Sequence, residues 1–159
     1  MFAHAPASTV RARHDRSRVN HELNAITDRQ MEYSEEFLRL AEQGDAKAQY
    51  NHGVMYRKGH RVPKNDAEAV KWYRKAAEQG YVDAQYNLGF MYHTGEGVPH
   101  DYAKAYMWWS LAKALGDKNV VNNLDVIKNE MTPTQIAIAQ ALASEWWEKH
   151  NKPLAILAR

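Results

Sequence analysis

The sequence contains no cysteine. That excludes a disulfide framework, cysteine-ligated zinc and a thiol nucleophile, and it is what a reducing compartment permits. Long apolar runs are missing too. A membrane-spanning helix needs about 20 predominantly apolar residues, and no uncharged stretch of the 159 residues approaches that, in keeping with a mean hydropathy of −0.70. The first 30 residues hold no apolar segment of the kind a secretory signal peptide requires. The cytoplasm is therefore the expected compartment, with the periplasm or secretion left open for a chain trimmed to its mature start. Net charge is scarce as well, since 21 Lys and Arg stand against 19 Asp and Glu, a net of +2.

The small excess of positive charge is localised. Residues 1–26 carry Arg11, Arg13, Arg16 and Arg18 against Asp15 and Glu22, which leaves 17 basic and 17 acidic residues in a neutral body. The same segment has no helical or strand period before Leu23, so it reads as a flexible basic arm. Four arginines with acid between them are too few for a nucleic-acid footprint. The remainder is long enough to bury a core without covalent staples, because a domain of roughly 150 residues hides about 68–70% of its unfolded surface.

Self-comparison reveals an internal repeat. Ala41–Ala76 laid over Ala77–Ala112, an offset of 36, is identical at 18 of 36 positions without a gap. A partial copy precedes the pair, and a decayed copy follows from Lys113, with Gly116 and Asn123 each 36 beyond Gly80 and Asn87. Each unit reads as two helices. In the first, Ala48, Tyr50, Gly53, Met55 and Tyr56 recur as Ala84, Tyr86, Gly89, Met91 and Tyr92, with small residues where helices must approach closely. Gly59 and Gly95 end these helices, and Val62-Pro63 and Val98-Pro99 keep the chain extended. Asn65 and Asp101 are then N-caps for second helices, whose apolar positions are Ala67, Ala69, Val70, Trp72, Tyr73 and Ala76, then Ala103, Ala105, Tyr106, Trp108, Trp109 and Ala112.

Thr132-Pro133-Thr134-Gln135 is a capping-box pattern for a last helix to about His150, with Ile136, Ala139, Leu142, Ala143, Trp146 and Trp147 inward. A lone helix pair cannot bury both its faces, so consecutive units must stack. The expected fold is all-α: an α-solenoid (α-α superhelix) of tandem helix–loop–helix repeats with a C-terminal capping helix. Its parts are the arm at 1–26, helical repeats at 27–112, the decayed unit and capping helix at 113–150 and a tail at 151–159.

Chemistry is hard to find in this pattern. The eight histidines show no H-E-x-x-H and no accompanying carboxylate cluster, Ser110 lacks a G-x-S-x-G elbow, and Gly95 and Gly97 have no strand or P-loop context. Trp72 and Trp108 recur at the repeat period, as core aromatics do. No cofactor and no metal are expected.

The run from Ala84, Leu88, Gly89, Met91 and Tyr92 through Gly95, Gly97, Val98, Asp101, Ala105, Trp108, Ala112 and Gly116 resembles the Sel-one-like repeat (SLR), a helix-pair relative of the tetratricopeptide repeat. The stretch from Trp108 through Met131-Thr132-Pro133 to Trp146 resembles the usual ending of bacterial members. His52 stands where the pattern has leucine, Arg61 replaces the second loop glycine of the first unit, and Lys113 replaces the second alanine that ends the second unit.

The resemblance implies a non-catalytic scaffold or adaptor that holds a protein or peptide on the concave face lined by first helices. The matching positions are Lys47, Tyr50, Val54, Arg57 and Lys58, then Asp83, Tyr86, Phe90, His93 and Thr94, with Asn119, Asn122 and Val126 from the decayed unit. The basic first unit would suit an acidic ligand or a C-terminal carboxylate. A cell-wall or β-lactam-related hydrolase of the same fold is the alternative, although the β-lactam branch of the family depends on paired cysteines that are absent here. The sequence leaves the oligomeric state open.

Overall fold

Capping chemistry sets the helix boundaries. The computed structural model describes Ala25 and residues 35–151, so the arm expected at 1–26, apart from Ala25, and the tail after Asn151 lie outside the described residues. The chain divides into two compact units, residues 1–39 and 40–159. Of the first unit, residues 35–39 belong to a helix, α1, which runs over 35–42 into the second. The second unit continues with α2 (Ala46–Lys58), α3 (Asp66–Glu78), α4 (Val82–Thr94), α5 (Tyr102–Ala114), α6 (Val120–Glu130) and α7 (Pro133–His150). Among the described residues there is no strand, and no helix is long and apolar enough to cross a membrane.

The same turn recurs three times. The N–H groups of Asp45, Tyr81 and Asp117 reach back to the carbonyls of Leu40, Ala76 and Ala112 at 3.0, 3.1 and 2.9 Å, across Gly44, Gly80 and Gly116 in the left-handed region. This six-to-one bond satisfies a carbonyl that a helix end would otherwise orphan. Within each pair a second closure recurs, from Asn65 N–H to the Tyr56 carbonyl (2.9 Å) and from Asp101 N–H to that of Tyr92 (3.0 Å). Asn65 and Asp101 then cap α3 and α5 through their side chains, each accepting from a backbone N–H at 3.0 Å. The expected capping box of α7 is formed, with Thr132 N–H donating to Gln135 Oε1 (2.9 Å) and Gln135 N–H to Thr132 Oγ1 (3.2 Å).

α2 packs on α3, α3 on α4 and α4 on α5, which then meets both α6 and α7. The continuous core runs from Ala69, Val70 and Tyr73 through Leu88, Met91, Trp108 and Trp109 to Val120, Leu124 and Ile127. Its tightest contacts repeat. The ring of Tyr73 lies over Gly53 and the indole of Trp109 over Gly89, so close that a Cβ on either glycine would sit 2.7 Å from Tyr73 or 2.5 Å from Trp109. The helices approach because no side chain stands between them. Trp109 is anchored further by its Nε1–H, which donates to the Tyr86 carbonyl at 3.0 Å.

The departures from the repeat pattern have structural consequences. Arg61 holds φ 64° where Gly97, 36 residues on, holds φ 69°. Arginine is therefore carried in a conformation that disfavours any side chain. At Gly97 glycine is required on two counts, since a Cβ would also stand 2.4 Å from the Asp66 backbone. His52, in the leucine position, is buried against Trp72 and Tyr56 with both rings edge-on, and its Nδ1 has no partner.

Two inward assignments fail: Ala67 is exposed, and Trp147 in α7 is 37% exposed. Among the described residues α7 packs chiefly against α5, and its apolar stripe is wider than the face that contact buries.

Candidate functional site

The first helices, α2 and α4, and the start of α6 converge on an open pocket of about 350 Å³ lined by Tyr50, Asp83, Tyr86, Asn87, Asp117 and Asn119. Repeat geometry places them. Tyr50 and Tyr86 are the same position of successive units, so stacking sets their rings side by side along one face. Tyr50 is half-buried against Tyr73 (ring centroids 5.7 Å) and Tyr81 (5.1 Å). Burial, and then the charge of Asp83, pushes the hydroxyls of Tyr50 and Tyr81 above the ordinary tyrosine range. Asp83 is exposed in the first turn of α4, and the Asp117 carboxylate accepts the Asn119 N–H at 2.8 Å.

Of the residues singled out by sequence, Tyr50, Asp83, Tyr86 and Asn119 share this pocket. Arg57, Phe90, His93 and Thr94 are committed elsewhere within the chain. Arg57 lies over the Phe90 ring at 4.9 Å and pairs with Glu96 at 3.4 Å. His93 pairs with Glu130 at 3.0 Å and lies against Tyr102 and Trp109, each at 5.6 Å between ring centroids. The His93 hydrogen bond, with a further one from Tyr102, holds the Glu130 carboxyl below the usual range. Thr94 bonds back to the Phe90 carbonyl at 3.1 Å. Val54 is half-buried against the core, and Lys47, Lys58, Asn122 and Val126 are exposed outside the pocket lining.

Sequence reasoning missed Asn87 and Asp117. The recurrence of asparagine at 51, 87 and 123 was a signal for the first. Asp117 carried none, because its repeat equivalents, Asp45 and Tyr81, differ in chemistry. The charge of the lining is opposite to that expected from Lys47, Arg57 and Lys58, with two carboxylates and no lysine or arginine.

Other concavities offer less chemistry. A cavity of about 340 Å³ beside α5 and α7 is lined by Ser110, Leu111, Ala114, Ala143, Ser144, Trp147 and Glu148, with no histidine to activate either serine. Among the described residues no group of three or more His, Asp or Glu is placed to hold a metal ion.

A family model described as the Sel1 repeat matches residues 46–81 and again 82–117, one helix pair each time. The chain carries two tandem Sel1 repeats. Its solenoid is similar to two solved bacterial structures. One is a protective antigen of uropathogenic Escherichia coli strains that displays an SLR fold, 34% identical over 74% of this chain and 25% of that one, with a TM-score of 0.70. The other is a Sel1 repeat protein from Oxalobacter formigenes, 34% identical over 70% of this chain and 49% of that one, with a TM-score of 0.60. The chain thus spans about a quarter and about half of the lengths of these two proteins. No curated protein matches its sequence. Sel1 repeats commonly build protein-interaction scaffolds.

Proposed function

We propose that the chain is a non-catalytic interaction module whose concave face, centred on Tyr50 and Tyr86, holds a peptide or a protein surface of a partner. The observation that carries this reading is the pocket itself. Two half-buried tyrosine rings on successive Sel1 repeats stand beside two amides and two carboxylates, in a cavity of about 350 Å³ open to solvent. Rings of this kind bury large area at small entropic cost, and amides fix the register of an extended chain through its backbone groups. The fold supplies the rigid platform, so binding freezes few torsions on this side of the interface.

The test is selection of random 12-residue peptides on the wild-type protein, followed by binding measurements on two variants. Tyr86→Ala removes an anchor. Asn119→Trp fills the pocket from an exposed position whose side chain makes no capping bond, so it leaves the core intact. Selected peptides are expected to lose at least tenfold in affinity for both variants while the melting temperature of Asn119→Trp stays at the wild-type value. Peptides that bind Asn119→Trp as well as wild type would place the interaction elsewhere and refute the reading.

A further inference from the structure

Asp83 and Asp117 line the pocket without a cation. Neither forms an ion pair with any described residue, and Lys47, the lysine that sequence assigned to this face, and Lys118, next to Asp117 in the chain, are both exposed and outside the lining. The one arginine that sequence assigned to this face, Arg57, is already occupied by Glu96 and Phe90. The remaining groups are complementary to a cation as well. Tyrosine faces attract one through their quadrupole, and the side-chain carbonyls of Asn87 and Asn119 are acceptors.

We infer that this pocket receives a guanidinium group, the side chain of an arginine in the partner polypeptide. The inference rests on the groove reading above and gives its ligand a chemistry. Arginine suits the lining better than lysine. A guanidinium is a planar fork of five N–H donors that pairs bidentately with carboxylates and stacks on aromatic faces, whereas an ammonium offers three donors from one point. The pocket presents two carboxylates, two amide carbonyls and two phenol rings around one open space. Each carboxylate also serves the local fold. Asp83 favours the N-terminus of α4, and Asp117 accepts the Asn119 N–H, a bond that asparagine would preserve at that position. Charge can therefore be removed from the pocket without removing its shape.

The experiment is a titration of the full chain followed by backbone and side-chain amide NMR, with N-acetyl-arginine amide and N-acetyl-glutamate amide as probes, on wild type and on Asp83→Asn/Asp117→Asn. The arginine probe is expected to shift the side-chain amides of Asn87 and Asn119 and to weaken with added salt. The glutamate probe should leave them in place at the same concentrations. The double variant, folded as wild type is by its amide spectrum, should bind the arginine probe at least tenfold more weakly. Shifts of these amides by the glutamate probe, or equal titration of the double variant, would overturn the inference.

The selected peptides give a second readout. Enrichment in arginine, with loss of binding to the double variant, supports the inference. Peptides that need Tyr86 yet carry Asp or Glu and bind the double variant undiminished would overturn the charge assignment and leave the groove standing. Peptides indifferent to Tyr86 and to Asn119→Trp would overturn the groove itself.

Discussion

Replacing Gly89 by alanine sets two effects of opposite sign against each other. Helix propensity alone favours the change, because alanine in a helix interior is better than glycine by about 1 kcal/mol. Packing opposes it. The new methyl would stand 2.5 Å from Cδ1 and Nε1 of Trp109 and 3.0 Å from Cε2. The ring has nowhere to go, since Trp109 is 2% exposed and its N–H is held by the Tyr86 carbonyl at 3.0 Å. Overpacking of this kind costs about 1–3 kcal/mol, and a ring pushed off its carbonyl leaves a hydrogen bond unmade at about 1–3 kcal/mol more. The packing side wins, for a net loss of about 1–5 kcal/mol after the propensity gain is subtracted.

In a chain of this size about 2–4 °C of melting temperature is lost per kcal/mol, so Gly89→Ala is expected to melt about 2–20 °C below wild type. Urea unfolding followed by tryptophan fluorescence, with calorimetry beside it, measures both quantities. A double-mutant cycle with Trp109→Leu isolates the contact, and with the indole gone the alanine should be tolerated or favourable. A Gly89→Ala protein as stable as wild type, or more stable, would show that propensity governs the position and that the close approach of α4 to α5 is not what fixes the glycine.

Three further outcomes follow from buried polar groups. In the first unit Gln79 Nε2 donates to Gln49 Oε1 at 2.8 Å, but in the second the equivalent of Gln79 is Leu115, 39% exposed, and the buried Gln85 Oε1 has no donor. Leu115→Gln should restore the bond and stabilise by about 1 kcal/mol in urea unfolding; an unchanged midpoint would show that the new amide does not reach. His52→Leu, which installs the residue of the matching position Leu88, should raise the melting temperature at neutral pH by removing an unpartnered buried nitrogen.

Burial holds the His52 pKa below its ordinary value of 6.5, with Glu42 opposing weakly. The unfolded chain therefore takes up the proton first, and wild-type stability should fall as the pH drops below 6.5 toward the folded pKa. His52→Leu should lose that slope in a pH series of denaturant midpoints, and a slope that persists would assign it to another group.

Much of this fold is legible along the chain because its determinants are local or strictly periodic. The caps at Asn65 and Asp101, the left-handed turns at Gly59 and Gly95, and the glycines under Tyr73 and Trp109 each follow from residue type and a spacing of 36, and the cap at Thr132 from its local capping-box pattern. Terminal helices are less legible. Period alone assigned Trp147 to the core, yet among the described residues α7 packs chiefly against α5, which leaves part of its wide apolar stripe uncovered.

The sequence by itself therefore determined that this is a stack of helix pairs, where α2 and α4 end, where α3, α5 and α7 begin, and that Tyr50 and Tyr86 hold the same position in successive units. It could not determine which of the candidate side chains meet. Arg57 and Glu96 are 39 residues apart and His93 and Glu130 are 37 apart, and whether such pairs close depends on the rotation between successive units, which no local signal sets. That rotation paired Arg57 and His93 within the chain and left Asp83 and Asp117 lining the pocket. The placement of Tyr50 and Tyr86 is periodic and could be read in advance, whereas the charge around them is the remainder of contacts made in three dimensions.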